Sequence, residues 1–309
     1  MRATTVPPPP VPRDESRAAL PDRHGFVERS EGVRIAFETF GSGEPALVLL
    51  PSAPIVHSRQ WKGQVAFLSR HYRVVTYDGR GNGRSDRPAA SAAYDERHMV
   101  GDLEAVMDAT TTSSAVLVGL CSDGVWRAIQ FAAANPTRVL GIVAFAVGVP
   151  LLSPPHPWRV AFSFEDELPI EDGWAKVNRH YWRRDYPGFA EFFFSEITSE
   201  PHSTKQVEDA VGWALDGSVD AMIADAGVEA GWDLVSVEST CRAVSCPMLL
   251  VHGSEDTCQP IDRARRLAEL TGAPLIVIEG ADHMIPGRHP VKANLLIRDF
   301  VRSISGGGS

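Results

Sequence analysis

The stretch Val116-Leu117-Val118-Gly119-Leu120-Cys121-Ser122-Asp123-Gly124 is where chemistry is easiest to place in this chain. An apolar run that reads as a buried strand passes, through one tight turn with glycine on either side, into a run with helical spacing. Such a turn holds one side chain above a sheet on a strained backbone, at a helix N-terminus whose N–H groups and dipole favour developing negative charge. Cys121 occupies that position, with Gly119 two residues before it; the second glycine comes one place late, at Gly124, because Asp123 fills the expected site. In the alternative register Ser122 suits Gly124, but Leu120 then stands where the first glycine belongs, so Cys121 is preferred. A thiolate is a better nucleophile near neutral pH than an unactivated serine, and an adjacent imidazole or helix N-terminus lowers its pKa. An inward-pointing Asp123 carboxylate would raise it. A cysteine at a strand end is by itself more often a small buried hydrophobe, so Cys121 needs partners.

The elements that would position it alternate between strand and helix. Gly25 to Phe40 reads as two short strands about the turn Ser30-Glu31-Gly32, and Ala46 to Leu50, Tyr72 to Tyr77, Ala115 to Val118, Val139 to Val147, Met248 to Val251 and Pro274 to Ile278 as further strands. Helices are expected after Trp61 and over Tyr94 to Ala109, Ser122 to Ala134, Ile261 to Leu270 and Val291 to Ser303. Short apolar strands without polar alternation are buried on both faces, which calls for a mostly parallel central sheet with helices on both sides: an α/β fold. The alternation breaks over residues 151–240, a helical, aromatic segment that reads as an inserted cap, leaving 25–150 and 241–302 as the core. Most of its aromatics are expected to pack the cap itself and a few to face a ligand. Residues 1–24, with Pro7 to Pro10 and Pro12, read as an extended tail, and 303–309 as a flexible Gly/Ser end.

Beyond the turn at Cys121, the segment Gly253-Ser254-Glu255-Asp256-Thr257-Cys258-Gln259-Pro260, the segment Gly280-Ala281-Asp282-His283 after the last strand, and the loop Asp78-Gly79-Arg80-Gly81-Asn82-Gly83-Arg84-Ser85-Asp86-Arg87-Pro88 complete four ordered matches. Together they resemble the α/β-hydrolase fold superfamily, in particular esterase-like members with a helical cap, over roughly Phe26 to Val301, with a cysteine in place of the nucleophilic serine. The resemblance implies a triad of Cys121, Asp256 and His283, in the family's order of nucleophile, acid and base, at the carboxyl ends of parallel strands. It also implies an oxyanion hole from the backbone N–H groups of Ala53 and Ser122, although Leu50-Pro51-Ser52-Ala53-Pro54 departs from the His-Gly common there. The Asp78–Pro88 loop is expected to be structural, since neither a P-loop lysine nor a dinucleotide fingerprint accompanies its glycines. His57, Asp282, Glu255 and Cys258 are near neighbours in this scheme without an assigned role.

The function expected on these grounds is hydrolysis of an ester, thioester or lactone through an acyl-Cys intermediate, with a small apolar acyl compound as substrate. An acyltransferase or cyclase using the same intermediate, and a non-catalytic ligand-binding homologue, are the alternatives. With 30 basic and 39 acidic residues, net −9 and no basic block, nothing attracts nucleic acid or an anionic membrane. Four dispersed cysteines and the lack of an apolar leader or spanning segment point to free thiols and a cytoplasmic protein. No cofactor motif is present, and the histidines and acids fall in no metal-ligand spacing such as H-E-x-x-H, so no metal is expected; oligomeric state is left open.

Overall fold

In the computed structural model, which describes residues 4–5, 19–151, 156–228 and 233–305, successive residues of the central strands alternate between two buried apolar clusters. Leu47, Leu49, Val74, Val116, Val118, Val143 and Phe145 point into one, and Val48, Leu50, Val75, Leu117, Ile142 and Ala144 into the other. A strand's period of two thus buries side chains on both faces, which is why these runs show no polar alternation. The strands are β1 (Thr4–Thr5), β2 (Arg23–Glu28), β3 (Arg34–Phe40), β4 (Leu47–Leu49), β5 (Val74–Tyr77), β6 (Ala115–Leu120), β7 (Val139–Phe145), β8 (Met248–Gly253) and β9 (Leu275–Ile278). They form one sheet in the order β1-β2-β3-β5-β4-β6-β7-β8-β9, antiparallel from β1 to β5 and parallel from β5 to β9.

The helices are α1 (Lys62–Leu68), α2 (Glu96–Ala109), α3 (Cys121–Ala134), α4 (Arg179–Arg184), α5 (Tyr186–Ile197), α6 (Thr204–Leu215), α7 (Val219–Ala226), α8 (Leu234–Ala243), α9 (Ile261–Thr271), α10 (Ile285–Arg288) and α11 (Pro290–Ser305). Helices α1, α10 and α11 cover one face through Val65, Leu68, Ile285 and Ile297, and α2, α3, α8 and α9 cover the other through Leu103, Val106, Ile129, Val237 and Leu267. The expected α/β architecture, a mostly parallel sheet between two helical layers, is the one observed.

Several boundaries differ from the sequence reading for identifiable reasons. Arg23 and His24, placed in the tail, already belong to β2, because His24 is buried opposite Glu38 of β3. Thr4 and Thr5 pair with Phe26 and Gly25; the remainder of 1–18 lies outside the described residues. Helix α11 continues to Ser305 because Ile304 packs on the core, and 306–309 lie outside the described residues. Helix α8, assigned largely to the inserted segment, packs Val237 and Cys241 into the cluster beneath the sheet, so sheet-covering chain resumes at Leu234. Helices α4 to α6 pack largely on one another through rings such as Trp182, Phe189 and Phe193. Among the described residues, no helix is long and apolar enough to cross a membrane.

The Asp78–Pro88 loop is built around buried charge. Arg80 is fully buried and donates from Nε and Nη2 to the two carboxylate oxygens of Asp102 on α2, at 2.8 and 2.6 Å, and from Nη2 to Glu31 at 2.8 Å. Asp78 caps the loop from its other end, accepting from the N–H groups of Ser58 at 3.0 Å and Arg84 at 2.9 Å. The Arg80 contacts tie the loop to α2 and to the turn between β2 and β3.

Candidate active site

Strand β6 delivers Leu120 in extended conformation, and the next residue, Cys121, has φ 64°, the left-handed region that side chains other than glycine rarely adopt. Helix α3 therefore begins at Cys121 itself, one residue before the sequence reading began it, and no side chain caps its N-terminus. The turn can be this tight because of Gly119 and Gly124. A Cβ on Gly119 would lie 2.6 Å from the Gly124 carbonyl carbon and oxygen. The glycine that looked one place late is thus the one against which Gly119 rests, and Asp123 is free to turn aside. Gly119→Ala is expected to destabilise the fold by about 1–3 kcal/mol, as overpacking against rigid backbone does; an unaltered urea midpoint would show that the turn relaxes without cost.

The loop after β4 is fastened to this turn. Ser52 Oγ lies 3.3 Å from Leu120 O, to which it donates, and 3.1 Å from Gln60 Oε1, while Pro51 O stands 3.3 Å from where a Cβ on Gly124 would be. Ala53, next along this loop, packs on the same apolar cluster as Cys121. Across the turn, Gly148 leaves room beside Ser122: a Cβ there would come within 2.6 Å of the Ser122 nitrogen.

Asp256 and His283 meet in a hydrogen bond. The two oxygens of Asp256 have separate duties. Oδ1 accepts from the N–H groups of Cys258 and Gln259, both at 2.8 Å, closing the turn after β8, and Oδ2 accepts from His283 Nδ1 at 2.9 Å. The proton is therefore on Nδ1, leaving His283 Nε2 free. His252, at the end of β8, fixes the same carboxylate from behind. Its Nδ1 accepts from the Val147 N–H at 3.1 Å, so its Nε2 carries the proton, 3.1 Å from Gln259 O and 3.4 Å from Asp256 Oδ2. Burial foremost holds His252 below the usual histidine range, keeping it neutral.

Cys121 is half-buried, and its sulfur, the Cys258 sulfur and a ring nitrogen of His283 all lie within 4.8 Å of one another. Gln259 Nε2 is 3.7 Å from the Cys121 sulfur and 3.8 Å from that of Cys258, with its Oε1 held by Arg263 at 2.8 Å. A hydrogen bond from the Cys258 thiol, together with the His283 charge, outweighs burial and holds the Cys121 thiol well below its ordinary range. Burial opposes the charged form of His283, but Asp256 and the two sulfurs raise it well above the usual imidazole value. The two shifts share a cause: negative charge on the Cys121 sulfur and positive charge on the His283 ring each favour the other.

Asp123 does not undo this. Its carboxylate is 3.6 Å from Arg127, and burial, opposed by Arg127 and reinforced by Glu96 and the Cys121 sulfur, pushes it up to about 6. Asp225 of α7, in the same group, is pushed up to about 7 by burial and by Asp123. Of the other residues noted in the sequence, His57 stands 3.5 Å from Asp216, Asp282 accepts from the N–H groups of Glu200 and Met284, and Glu255 is exposed beside Ser254. Only Cys258 joins the Cys121–His283 pair. Cys258→Ala should move the pH midpoint of Cys121 alkylation by iodoacetamide upward, because the thiolate loses a donor. A profile overlying that of the parent protein would show that the Cys258 S–H does not serve it.

The family model described as alpha/beta hydrolase fold matches residues 45–290. A non-heme chloroperoxidase of Streptomyces lividans is 28% identical over 284 residues, covering 90% of this chain and 100% of that protein. A bifunctional esterase/perhydrolase of Acinetobacter calcoaceticus is 24% identical over 90% of this chain and 100% of its own length. Among solved structures, Est816, described as an N-acyl homoserine lactone degrading enzyme, superposes with a TM-score of 0.70 at 24% identity, over 89% of this chain and 99% of that one. With the matching model spanning most of the chain and the sheet order on the page, the protein belongs to the α/β-hydrolase fold family and is an enzyme of that family.

Proposed function

We propose that the protein cleaves a carboxylic ester, thioester or lactone through an acyl-Cys121 intermediate. The observation that supports this most is Cys121 on a left-handed turn at the N-terminus of α3, with the His283–Asp256 pair at its side. The Cys121 thiolate attacks the carbonyl carbon, and the oxyanion that forms is held by the N–H groups of Ala53 and Ser122. As the tetrahedral adduct collapses, the His283 imidazolium gives its Nε2 proton to the leaving alcohol, thiol or ring oxygen. The neutral imidazole then takes a proton from water, which attacks the thioester and releases the acid and the thiolate. Asp256 keeps the Nδ1 proton in place throughout. Packing of Cys121 and Ala53 on the cluster shared with Tyr181, Trp182 and Phe189 favours an apolar acyl group.

Intact-protein mass spectrometry after exposure to acyl p-nitrophenyl esters, acyl thioesters and lactones tests this. An acyl adduct is expected on the parent protein and on Ser122→Ala but not on Cys121→Ala. Loss only in Ser122→Ala would move the nucleophile to the neighbouring hydroxyl, and absence from every protein with every ester would sink the reading.

A further inference from the structure

Two thiols and an imidazole drawn from three distant parts of the chain make a second kind of site out of the same atoms. The ligand atoms of Cys121, Cys258 and His283 lie within 4.8 Å of one another. A tetrahedral zinc ion with bonds of about 2.3 Å to sulfur and about 2.0 Å to nitrogen needs its ligand atoms about 3.6–3.8 Å apart, so side-chain rotations of about 1 Å close the gap. The histidine is already arranged as a metal ligand. Its Nδ1 is bound to the buried Asp256 carboxylate at 2.9 Å, the outer contact that fixes the tautomer and orientation of a zinc-binding imidazole and leaves Nε2 for the ion. Asp256 is itself held by two backbone N–H groups at 2.8 Å, so this support is rigid. Cys121 is half-buried, which gives an ion a way in, and no fourth Cys, His, Asp or Glu joins the group among the described residues.

We propose that Cys121, Cys258 and His283 bind one thiophilic divalent cation of the zinc class, with Asp256 as outer support and the fourth position left to water. Two thiolates and one imidazole are a soft donor set that selects zinc, cadmium or cobalt over magnesium and calcium. Binding releases two protons: one from the Cys258 thiol and one from the Cys121–His283 pair, whichever of the two holds it. The bound ion takes up the sulfur and the nitrogen that acyl transfer needs, so occupancy is a reversible off-state for the site. The placement of the ligands stands apart from the acyl-Cys121 reading, which the test treats separately.

The test is titration of the reduced, chelator-treated full-length protein with cobalt(II), followed by absorbance, and with zinc as competitor. One cobalt per chain is expected, with a thiolate-to-metal charge-transfer band that zinc abolishes. Cys121→Ala and Cys258→Ala should each lose the band and weaken cobalt binding by more than about 100-fold, exceeding the roughly 10–100-fold expected of the outer-support variant Asp256→Asn. Cys246→Ser, whose thiol packs against the cluster on the opposite face of the sheet, should leave the band unchanged. Parent protein alkylated at Cys121 after folding should also lack the band, which covers the case in which a variant misfolds. A parent protein without the band, or a band that survives Cys258→Ala in folded protein, would overturn the proposal. Acyl adducts without cobalt binding would overturn this proposal alone; cobalt binding without adducts would leave it standing and remove the acyl-Cys121 reading.

Discussion

Asp256→Asn is expected to lower kcat/KM toward an accepted ester by about 10³–10⁴-fold, the loss that follows when a triad imidazole is held in the wrong tautomer. The orientation of the new amide is forced. The N–H groups of Cys258 and Gln259 both point at Oδ1 from 2.8 Å and need an acceptor, so the amide oxygen stays there and the NH₂ group takes the place of Oδ2. That NH₂ faces His283 Nδ1, which must then give up its proton and accept, putting the ring proton on Nε2, where it cannot remove one from water. The depressed pKa of Cys121 depends on the imidazolium and should rise as that charge is lost. Part of the rate should therefore return as pH is raised and the thiolate forms unaided, while in the parent protein the thiolate disappears only as pH falls through the lowered value. A pH–rate profile on folded Asp256→Asn separates this from structural damage: a uniform loss at all pH values would contradict the tautomer argument.

Arg80→Ala should destabilise the fold by about 3–5 kcal/mol, the range for removing one partner of a buried ion pair. Arg80 is fully buried, bonded twice to Asp102 at 2.8 and 2.6 Å, and also meets Glu31 at 2.8 Å and the carbonyl of Ala93 at 2.5 Å. Burial raises the Asp102 carboxyl even against Arg80 and Arg29, which is the desolvation cost of the arrangement; without Arg80 that cost is no longer offset. Arg29, 3.1 Å from Asp102, can recover only part of the pairing. The sign of the pH dependence follows. In the variant the folded-state pKa of Asp102 rises further above its unfolded value, so the full deficit is present at neutral pH and shrinks as pH falls through the raised value and the carboxyl becomes neutral. Urea denaturation at pH 7 and pH 5 measures it. Equal losses at both would place the effect in packing rather than charge.

The strands and the two helical layers are legible because each rests on short-range signals. Apolar runs of strand length announce double burial, whereas Asp256 and His283 are picked out only by the resemblance of their segments to the α/β-hydrolase pattern. What stayed hidden depends on contacts between remote segments. Nothing within Thr257-Cys258-Gln259 shows that its sulfur reaches Cys121 on α3, or that Gln259 donates toward both sulfurs. His252 follows the strand expected over Met248 to Val251 with no signal in the sequence that its ring nitrogens bridge Val147 and the Asp256 turn. The displaced glycine is instructive in another way. Counting positions made Gly124 a departure from pattern, whereas space makes it the backbone on which Gly119 sits. The end of the helical insertion was misplaced because α8 is as amphipathic as its neighbours, and only its packing under the sheet distinguishes it.

The positive φ of Cys121 also sets the vocabulary from which this position can draw as sequences drift. Cysteine and serine differ by one atom at Sγ or Oγ and by a single nucleotide in their codons. Both have an unbranched Cβ that the left-handed region can tolerate when the surroundings enforce it. Threonine would bring a second heavy atom onto Cβ where β-branched residues are true outliers. Glycine would relieve the strain and leave no nucleophile. The turn therefore permits thiol and alcohol chemistry to interconvert in one mutational step while closing the route to threonine, so backbone geometry, before any consideration of substrate, sorts the nucleophiles this site can carry by branching at Cβ.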